Sequence, residues 1–498
     1  MYLTVKNLGP IKEGKIDLSK KFYVFVGYNN SGKTYMAHLL WTIFDTITHP
    51  PFFDKLTSHI RNEIDLENGF EVSPHFIKEM LESFANAVKD NIAEGLGVGG
   101  NHFILSNCSI QFEFDENEYH QKIISPEFER MYSYSPWIED LKLCIEARKN
   151  KGSSRIKLQM APNKWNVFRE QLWNDNLLLP AASGCLKFLM NILFDNKIPF
   201  YLPANRLFYP TFFDYVYGYE KEQKDKMIKQ LRQGQAREDI IQSFKGKYTE
   251  PMNELLKKIY ALNREHDVFS SSFAKYEDIL ALLKLIIGGE IVVRPRKING
   301  IVGLIEFFLK IEQGAELELY LSSSSVNQLT CLYLFLEYWV QEENNFLFID
   351  EPEENLHPAN QLKLLDMLIK FANRNDNKVL ITTHSPLLTE AINSHLSLGF
   401  LKQRDVDLQQ ILAQHGFDAE ISLEMILNPE DIGIYFFDGK KITEYGVDDY
   451  GVLFADFEYV QRKLSKLNEI LTDEIYTLRN KEDEYGDLHI EQDSGAIS

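Results

Sequence analysis

Apolar positions alternate weakly from Tyr2 to Val5, break at Gly9-Pro10, and alternate again from Lys12 to Leu18. In the second stretch Gly14, Ile16 and Leu18 share one face, and Glu13, Lys15 and Asp17 the other. Period-two alternation on both sides of a turn predicts an antiparallel hairpin. Phe22–Val26 is then apolar without alternation, as expected of a strand buried on both faces, and a glycine-rich loop leads from it into a helix from about Lys33 to Phe44. Two more unbroken apolar runs, Phe346–Ile349 and Val379–Ile381, flank a helical stretch in which Leu362, Leu365, Ile369 and Ala372 share a face. A strand, a helix and a strand in that order predict two parallel neighbours in one sheet.

The middle of the chain is less regular. Residues 51–195 show no repeat and read as mostly helical, with a strand pair at Ile110–Phe114 and Ile156–Met160 and a glycine-rich loop at Gly95–Gly100. Phe200–Leu202 reads as a strand ending at Pro203-Ala204-Asn205-Arg206, and 214–265 as charged helix. Strands are expected at Ile291–Val293, Gly303–Ile311 and Leu317–Leu321. A serine cluster, Ser322 to Ser325, then opens a helix with Leu329, Leu332, Leu336 and Trp339 on one face. An amphipathic helix is expected from Val452 to Tyr476, followed by an acidic tail whose composition predicts disorder.

Charge changes this picture in two places. The 498 residues carry 53 Lys and Arg against 73 Asp and Glu, a net charge of −20. That balance argues against a chain that coats nucleic acid, because phosphate binding needs clustered cations. The segment 142–169 runs the other way, with Lys142, Arg148, Lys149, Lys151, Arg155, Lys157, Lys164 and Arg169 against Glu146 alone, and is the candidate nucleic-acid surface. No apolar run is long enough to span a membrane, no secretory signal is visible, and the four scattered cysteines read as reduced thiols; the expected location is cytoplasmic.

The chemistry concentrates in three places. Gly27-Tyr28-Asn29-Asn30-Ser31-Gly32-Lys33-Thr34 fits G-x-x-x-x-G-K-[ST], between a strand and a helix. Glycines let successive N–H groups of Gly27, Asn29, Asn30, Ser31 and Gly32 face phosphate oxygens, Lys33 reaches the β and γ phosphates, and the Thr34 hydroxyl is a ligand for Mg²⁺. The strand ending Ile349-Asp350-Glu351 aims Asp350 at the same metal and leaves Glu351 to take a proton from the attacking water. The strand ending Thr382-Thr383-His384 brings His384 toward the γ phosphate, where it would hold that group and the water. The expected ligands are therefore ATP and Mg²⁺, and the expected reaction is ATP hydrolysis. Asp438-Gly439 and Asp448-Asp449 are isolated acids that read as turns.

Taken together, the phosphate loop, the serine-led helix, Ile349-Asp350-Glu351-Pro352-Glu353-Glu354-Asn355-Leu356-His357-Pro358 and Thr383-His384-Ser385 resemble an ABC-type ATPase of the branch containing the SMC, RecF and OLD families. The carboxylate and histidine motifs are most similar to OLD-like ATPases of bacterial anti-phage systems such as Septu and PARIS, and Tyr201-Leu202-Pro203-Ala204-Asn205-Arg206 resembles a segment these ATPases share. The resemblance implies an α/β P-loop fold with an ABC-type head and a mostly helical insertion. The head would be formed by 1–50 and 301–440, the insertion by 51–195, a flanking or completing region by 196–300, and a terminal helix and tail by 441–498. It further implies that ATP lies between two copies, with Ser324 and Ser325 capping the γ phosphate of the facing copy, so that the chain is at least a homodimer. The usual glycine pair of that signature is absent here. By the same analogy, a separate effector protein is the expected partner in anti-phage defence. The alternatives are a RecF- or SMC-like DNA-binding ATPase in repair or maintenance, and an ATP-gated scaffold.

Overall fold

The structure is a computed structural model that describes residues 1–48, 70–99, 102–134, 143–160, 178–207, 249–265, 276–298, 301–311, 314–416, 422–448, 451–454, 459, 462–463 and 465–472. The chain divides into two compact units, Met1–Tyr450 and Gly451–Ser498.

The predicted hairpin is β1 (Tyr2–Leu8) and β2 (Ile11–Asp17), followed by β3 (Phe22–Gly27) and α1 (Lys33–Thr48). Next come β4 (Phe70–Glu71), α2 (Pro74–Gly95), β5 (Ser109–Glu113), β6 (Phe128–Tyr134), β7 (Leu143–Lys149) and β8 (Arg155–Met160). α3 (Leu178–Leu193), β9 (Ile198–Leu202), α4 (Glu250–Glu265), α5 (Glu277–Ile287), β10 (Gly289–Ile298), β11 (Ile301–Ile311) and β12 (Glu316–Glu318) follow. The last third holds α6 (Ser324–Leu334), β13 (Asn345–Asp350), α7 (Pro358–Ala372), β14 (Lys378–Thr382), α8 (Pro386–Gln403), β15 (Ile432–Phe437) and β16 (Ile442–Glu444).

The central sheet has the order β16-β15-β3-β14-β13-β9. Its five inner-to-edge strands β15, β3, β14, β13 and β9 are parallel, and β16 closes one edge antiparallel. Every residue of β3, β13 and β14 is buried, which explains their unbroken apolar runs. Alternate side chains divide between the two faces. Tyr23, Phe25, Phe346, Phe348 and Leu380 join one core with Met36, Leu39, Leu40 and Phe44 of α1, while Val24, Leu347, Ile349 and Ile381 are buried outside that cluster. Parallel strands order in this way because each crossover helix must cover a sheet face.

Several pairings differ from the sequence expectation. The strands expected at Ile110–Phe114 and Ile156–Met160 exist but do not pair with each other. β5 pairs with β1, completing a three-stranded sheet of order β2-β1-β5, and β8 lies between β4 and β7 in a sheet of order β4-β8-β7-β6. The stretch between α1 and α3 thus adds β5 to the sheet of β1 and β2 and forms a second small antiparallel sheet from β4, β8, β7 and β6. β9 is an integral strand of the central sheet, and the sheet continues past residue 440 into β16. The strand expected at Leu317–Leu321 is shorter: β12 ends at Glu318 and a 3₁₀ turn takes Leu319–Leu321. Asp438 is a turn residue as expected, its carboxylate accepting from the N–H groups of Lys440 and Lys441 at 2.6 Å. The second turn expectation falls partly outside the described residues, at Asp449, as does the acidic tail from 473. In the second unit the described residues 459, 462–463 and 465–472 are helical, with Tyr459, Leu467, Ile470 and Leu471 exposed. Cys108 and Cys331 are free and buried. No helix among the described residues is long and apolar enough to cross a membrane.

Candidate functional site

The phosphate loop spans the end of β3 and the start of α1, as the motif requires. Two of its glycines are needed for their backbone. Gly27 has φ 142° and lies in register with Phe437 of β15; a Cβ there would stand 2.2 Å from the Phe437 carbonyl oxygen. Gly32 has φ 104°, and a Cβ would stand 2.6 Å from Ile11 Cγ1. Asn30 also takes a left-handed conformation, φ 59°, which asparagine tolerates better than most residues. Lys33 Nζ donates to the carbonyls of Gly27 at 3.1 Å and Tyr28 at 2.9 Å, so the ammonium folds back over the loop. Asn29, Asn30 and Thr34 are exposed.

These residues fit a phosphate. Ser31 Oγ is buried with no hydrogen-bond partner, and the loop backbone can approach an anion closely only because Gly27 and Gly32 lack side chains. The oxygens of Thr34 and Asp350 are the hard donors that Mg²⁺ takes.

β14 lies between β3 and β13, so the three motifs emerge side by side. Asp350 pairs in register with Thr382, and Thr383 N donates to Phe25 O at 3.0 Å. The Asp350 carboxylate is 4% exposed and accepts from Thr382 Oγ1 at 2.9 Å and Tyr201 Oη at 2.7 Å. Burial pushes its pKa up, against those two hydrogen bonds. Glu351 follows with φ 47°, a strained conformation for a glutamate, held by its N–H on Thr382 O at 3.0 Å. His384 Nε2 lies 3.5 Å from Glu351 Oε1. Burial, then Lys33, pushes the His384 pKa down, against Glu351, which favours the neutral imidazole. Burial also pushes Lys33 down to about 8, against Glu351, Asp350 and Glu353. Lys33, Asp350, Glu351 and His384 are thereby assembled at the carboxyl ends of adjacent parallel strands, where open α/β sheets place their ligands.

Ser324 and Ser325 are not assembled there. They open α6, where Ser323 caps the helix by accepting from Val326 N and its hydroxyl lies 2.8 Å from Ser325 Oγ. Among the described residues no hydrogen bond joins them to residues 27–34.

Five supporting residues were not singled out from the sequence. Tyr201 and Arg206 bracket Asp350: the first reaches its carboxylate, the second its carbonyl at 2.7 Å. Arg206 is 1% exposed and also donates to Glu351 O, Pro203 O and Gln328 O. Burying a guanidinium costs several kcal/mol; bonds from a charged donor, each about 1.5–3 kcal/mol, offset that cost. Gln328 Nε2 donates to Ala204 O at 2.8 Å and Glu354 Oε2 at 3.0 Å. Glu353 Oε1 accepts from Thr383 Oγ1 at 2.7 Å and His384 N at 2.8 Å and so fixes the histidine loop; its Oε2 is buried without a partner. His38, one turn after Thr34, stacks on Tyr201 with ring centroids 4.6 Å apart, and burial pushes it down to about 4. The only signal for Tyr201 and Arg206 was the recurring segment that contains them. Their target depends on β9 pairing with β13, which periodicity does not reveal.

In the basic segment, Lys149 is 1% exposed, and its ammonium donates to the carbonyls of Ile124, Asn150 and Ser153. Arg155 faces Glu71 at 3.7 Å. Arg148, Lys151 and Lys157 are exposed, and Lys142, Lys164 and Arg169 lie outside the described residues.

Solved structures similar to this chain include an SmcHead bound to the C-winged helix domain of ScpA, at 14% identity over 90% of this chain and 97% of that one, with a TM-score of 0.30. Others are the SMC head domain from Thermotoga maritima, at 9% identity over 90% and 98% with a TM-score of 0.28, and an Smc head domain with an extended coiled coil bound to the C-terminal domain of ScpA from Pyrococcus furiosus, at 13% over 94% and 98% with 0.30. Comparison with curated proteins gives no match. The family profile described as an AAA ATPase domain matches residues 1–389, and the chain therefore belongs to the AAA ATPase domain family and is an ATP-hydrolysing enzyme.

Proposed function

We propose that the site hydrolyses ATP with the following division of labour. Gly27, Asn29, Asn30, Ser31 and Gly32 cradle the phosphates through their N–H groups, and Lys33 supplies a positive charge to the β and γ phosphates. Thr34 and Asp350 hold Mg²⁺, which when bound neutralises charge on the phosphate oxygens. Glu351 accepts a proton from the attacking water, and the neutral His384 orients that water and the γ phosphate. The observation that carries this reading is the convergence of Lys33, Asp350, Glu351 and His384 on the ends of three adjacent strands, with His384 3.5 Å from Glu351. Lys33→Ala is expected to weaken ATP binding at least ~100-fold in calorimetry, because one charged partner of a polyphosphate is lost. An unchanged affinity would refute the reading.

In its finer form the proposal is a homodimer in which Ser324 and Ser325 of one copy cap the γ phosphate on the other. Their place in the first turn of α6, with Ser324 exposed and Ser325 half-buried, supports this, since the N–H groups at a helix start suit an anion. The dimer would act as a cytoplasmic sensor or regulator, working with a separate effector in an anti-phage role of the OLD-like kind. The second reading, a DNA-binding ATPase using 142–169, is less favoured. Lys149 and Arg155 spend their charge within the protein, which suits a solvated or protein-binding face better than a phosphate-binding one.

A further inference from the structure

Arg206 lies outside the groups assigned to phosphate, metal or water, yet it touches the main chain on three sides of them. Its acceptors are backbone carbonyls: Pro203 in its own turn, Gln328 on α6, and Asp350 and Glu351 at the end of β13. Gln328 returns the contact through Nε2, which donates to Ala204 O and to Glu354 Oε2. One turn further along α6, Cys331 Sγ lies 3.6 Å from Arg206 O. Two side chains therefore tie together α6, the turn 204–207 and the segment 350–354.

The geometry has a direction. Gln328 is four residues after Ser324, so both lie on the same side of α6, and the hydrogen-bonded helix carries a displacement of its first turn to Gln328. At the other end, Glu351 holds a left-handed conformation that persists only while its neighbours hold it, and Arg206 grips the carbonyls on either side of its Cα–N linkage. A guanidinium suits this task because its planar fork presents several donors at fixed angles, which a lysine ammonium cannot match. A buried charge without a direct carboxylate partner is also a poor device for stability alone.

We propose that Arg206 is a positioning residue coupling the serine-led end of α6 to Glu351, so that contact at Ser324 and Ser325 sets the Glu351 side chain for hydrolysis. The inference rests on the roles proposed above for Glu351 and the serines.

A double-mutant cycle on the full chain tests it, with ATP affinity by calorimetry and Mg²⁺-ATP turnover measured for Arg206→Lys, Ser325→Ala and the pair. Arg206→Lys is expected to bind ATP within about twofold of the parent and to turn it over about tenfold more slowly or less. Ser325→Ala should also slow turnover, and the pair should fall within about twofold of the worse single variant, since both break one relay. Losses that multiply in the pair would overturn the coupling. So would unchanged turnover in either single variant, or a parallel collapse of ATP affinity and melting temperature in Arg206→Lys, which would assign it a structural role. If Arg206→Lys does not fold, Gln328→Leu replaces it in the cycle: it removes the bonds to Ala204 and Glu354 but keeps the carbonyl that Arg206 uses. Independence of Gln328→Leu and Ser325→Ala would equally overturn the proposal. Glu351→Gln in the same assays separates the two readings. Normal turnover there refutes the role of Glu351 itself, whereas an inactive Glu351→Gln with an additive cycle refutes only the coupling.

Discussion

Lys33 is 6% exposed, and its surroundings pull in opposite directions. Burial disfavours the ammonium and brings its pKa to about 8, although Glu351, Asp350 and Glu353 favour the charge. The folded value lies below that of a free lysine, so the group is charged below about pH 8 and loses its proton above it. Bound polyphosphate favours the charged form. ATP affinity is therefore expected to fall by up to about tenfold per pH unit above pH 8, with uptake of about one proton per ATP bound near pH 9. Calorimetry in two buffers of different ionisation heat measures that uptake; constant affinity with no uptake would separate Lys33 from the phosphate. At this scale the motif was legible in the sequence, because Gly27, Gly32, Lys33 and Thr34 fall within eight consecutive residues between a strand and a helix. Tyr201, Arg206 and Gln328 were not, because each acts on a carbonyl or carboxylate far away along the chain, as with Gln328 on Ala204 and Arg206 on Asp350.

Among elements, β3 and β15 meet more closely than any side chain allows at Gly27. Its φ of 142° and the 2.2 Å approach of a Cβ to Phe437 O combine strain with a backbone clash. Gly27→Ala is expected to cost at least about 2 kcal/mol of stability, seen as a lower melting temperature, and to weaken ATP binding because the loop must shift. A melting temperature equal to the parent's would refute the close approach. The elements most legible in advance were β3, β13 and β14, whose runs such as Phe346–Ile349 are apolar throughout because both faces are covered. That β13 and β14 are parallel neighbours followed from the helix between them. The partners of β5 and β8 did not follow: the two were expected to pair with each other, but Ile110 faces Val5 and Ile156 faces Phe70. Alternation tells a strand which face is buried, not which neighbour covers its edge.

For the molecule as a whole, the proposed two-copy site makes a prediction of its own. Glu351→Gln is expected to bind ATP yet hydrolyse it at least about 100-fold more slowly, and so to accumulate as an ATP-bound dimer. Light scattering with and without ATP reads this; a Glu351→Gln chain that stays monomeric with ATP bound would refute the shared site. The net charge of −20 remains a statement about the surface, but the basic segment 142–169 divides once it folds. Lys149 turns inward onto three carbonyls and Arg155 meets Glu71, leaving Arg148, Lys151 and Lys157 at the surface. The sequence by itself determined the α/β class, the phosphate loop, the carboxylate strand and the histidine strand, because these rest on contiguous residues and local periodicity. Only the tertiary structure decided that β14 stands between β3 and β13, that β5 pairs with β1, and that Tyr201 and Arg206 hold Asp350 from both sides. The physical reason is that strand order, register and buried hydrogen bonds depend on packing between segments far apart in the chain, which no local pattern encodes.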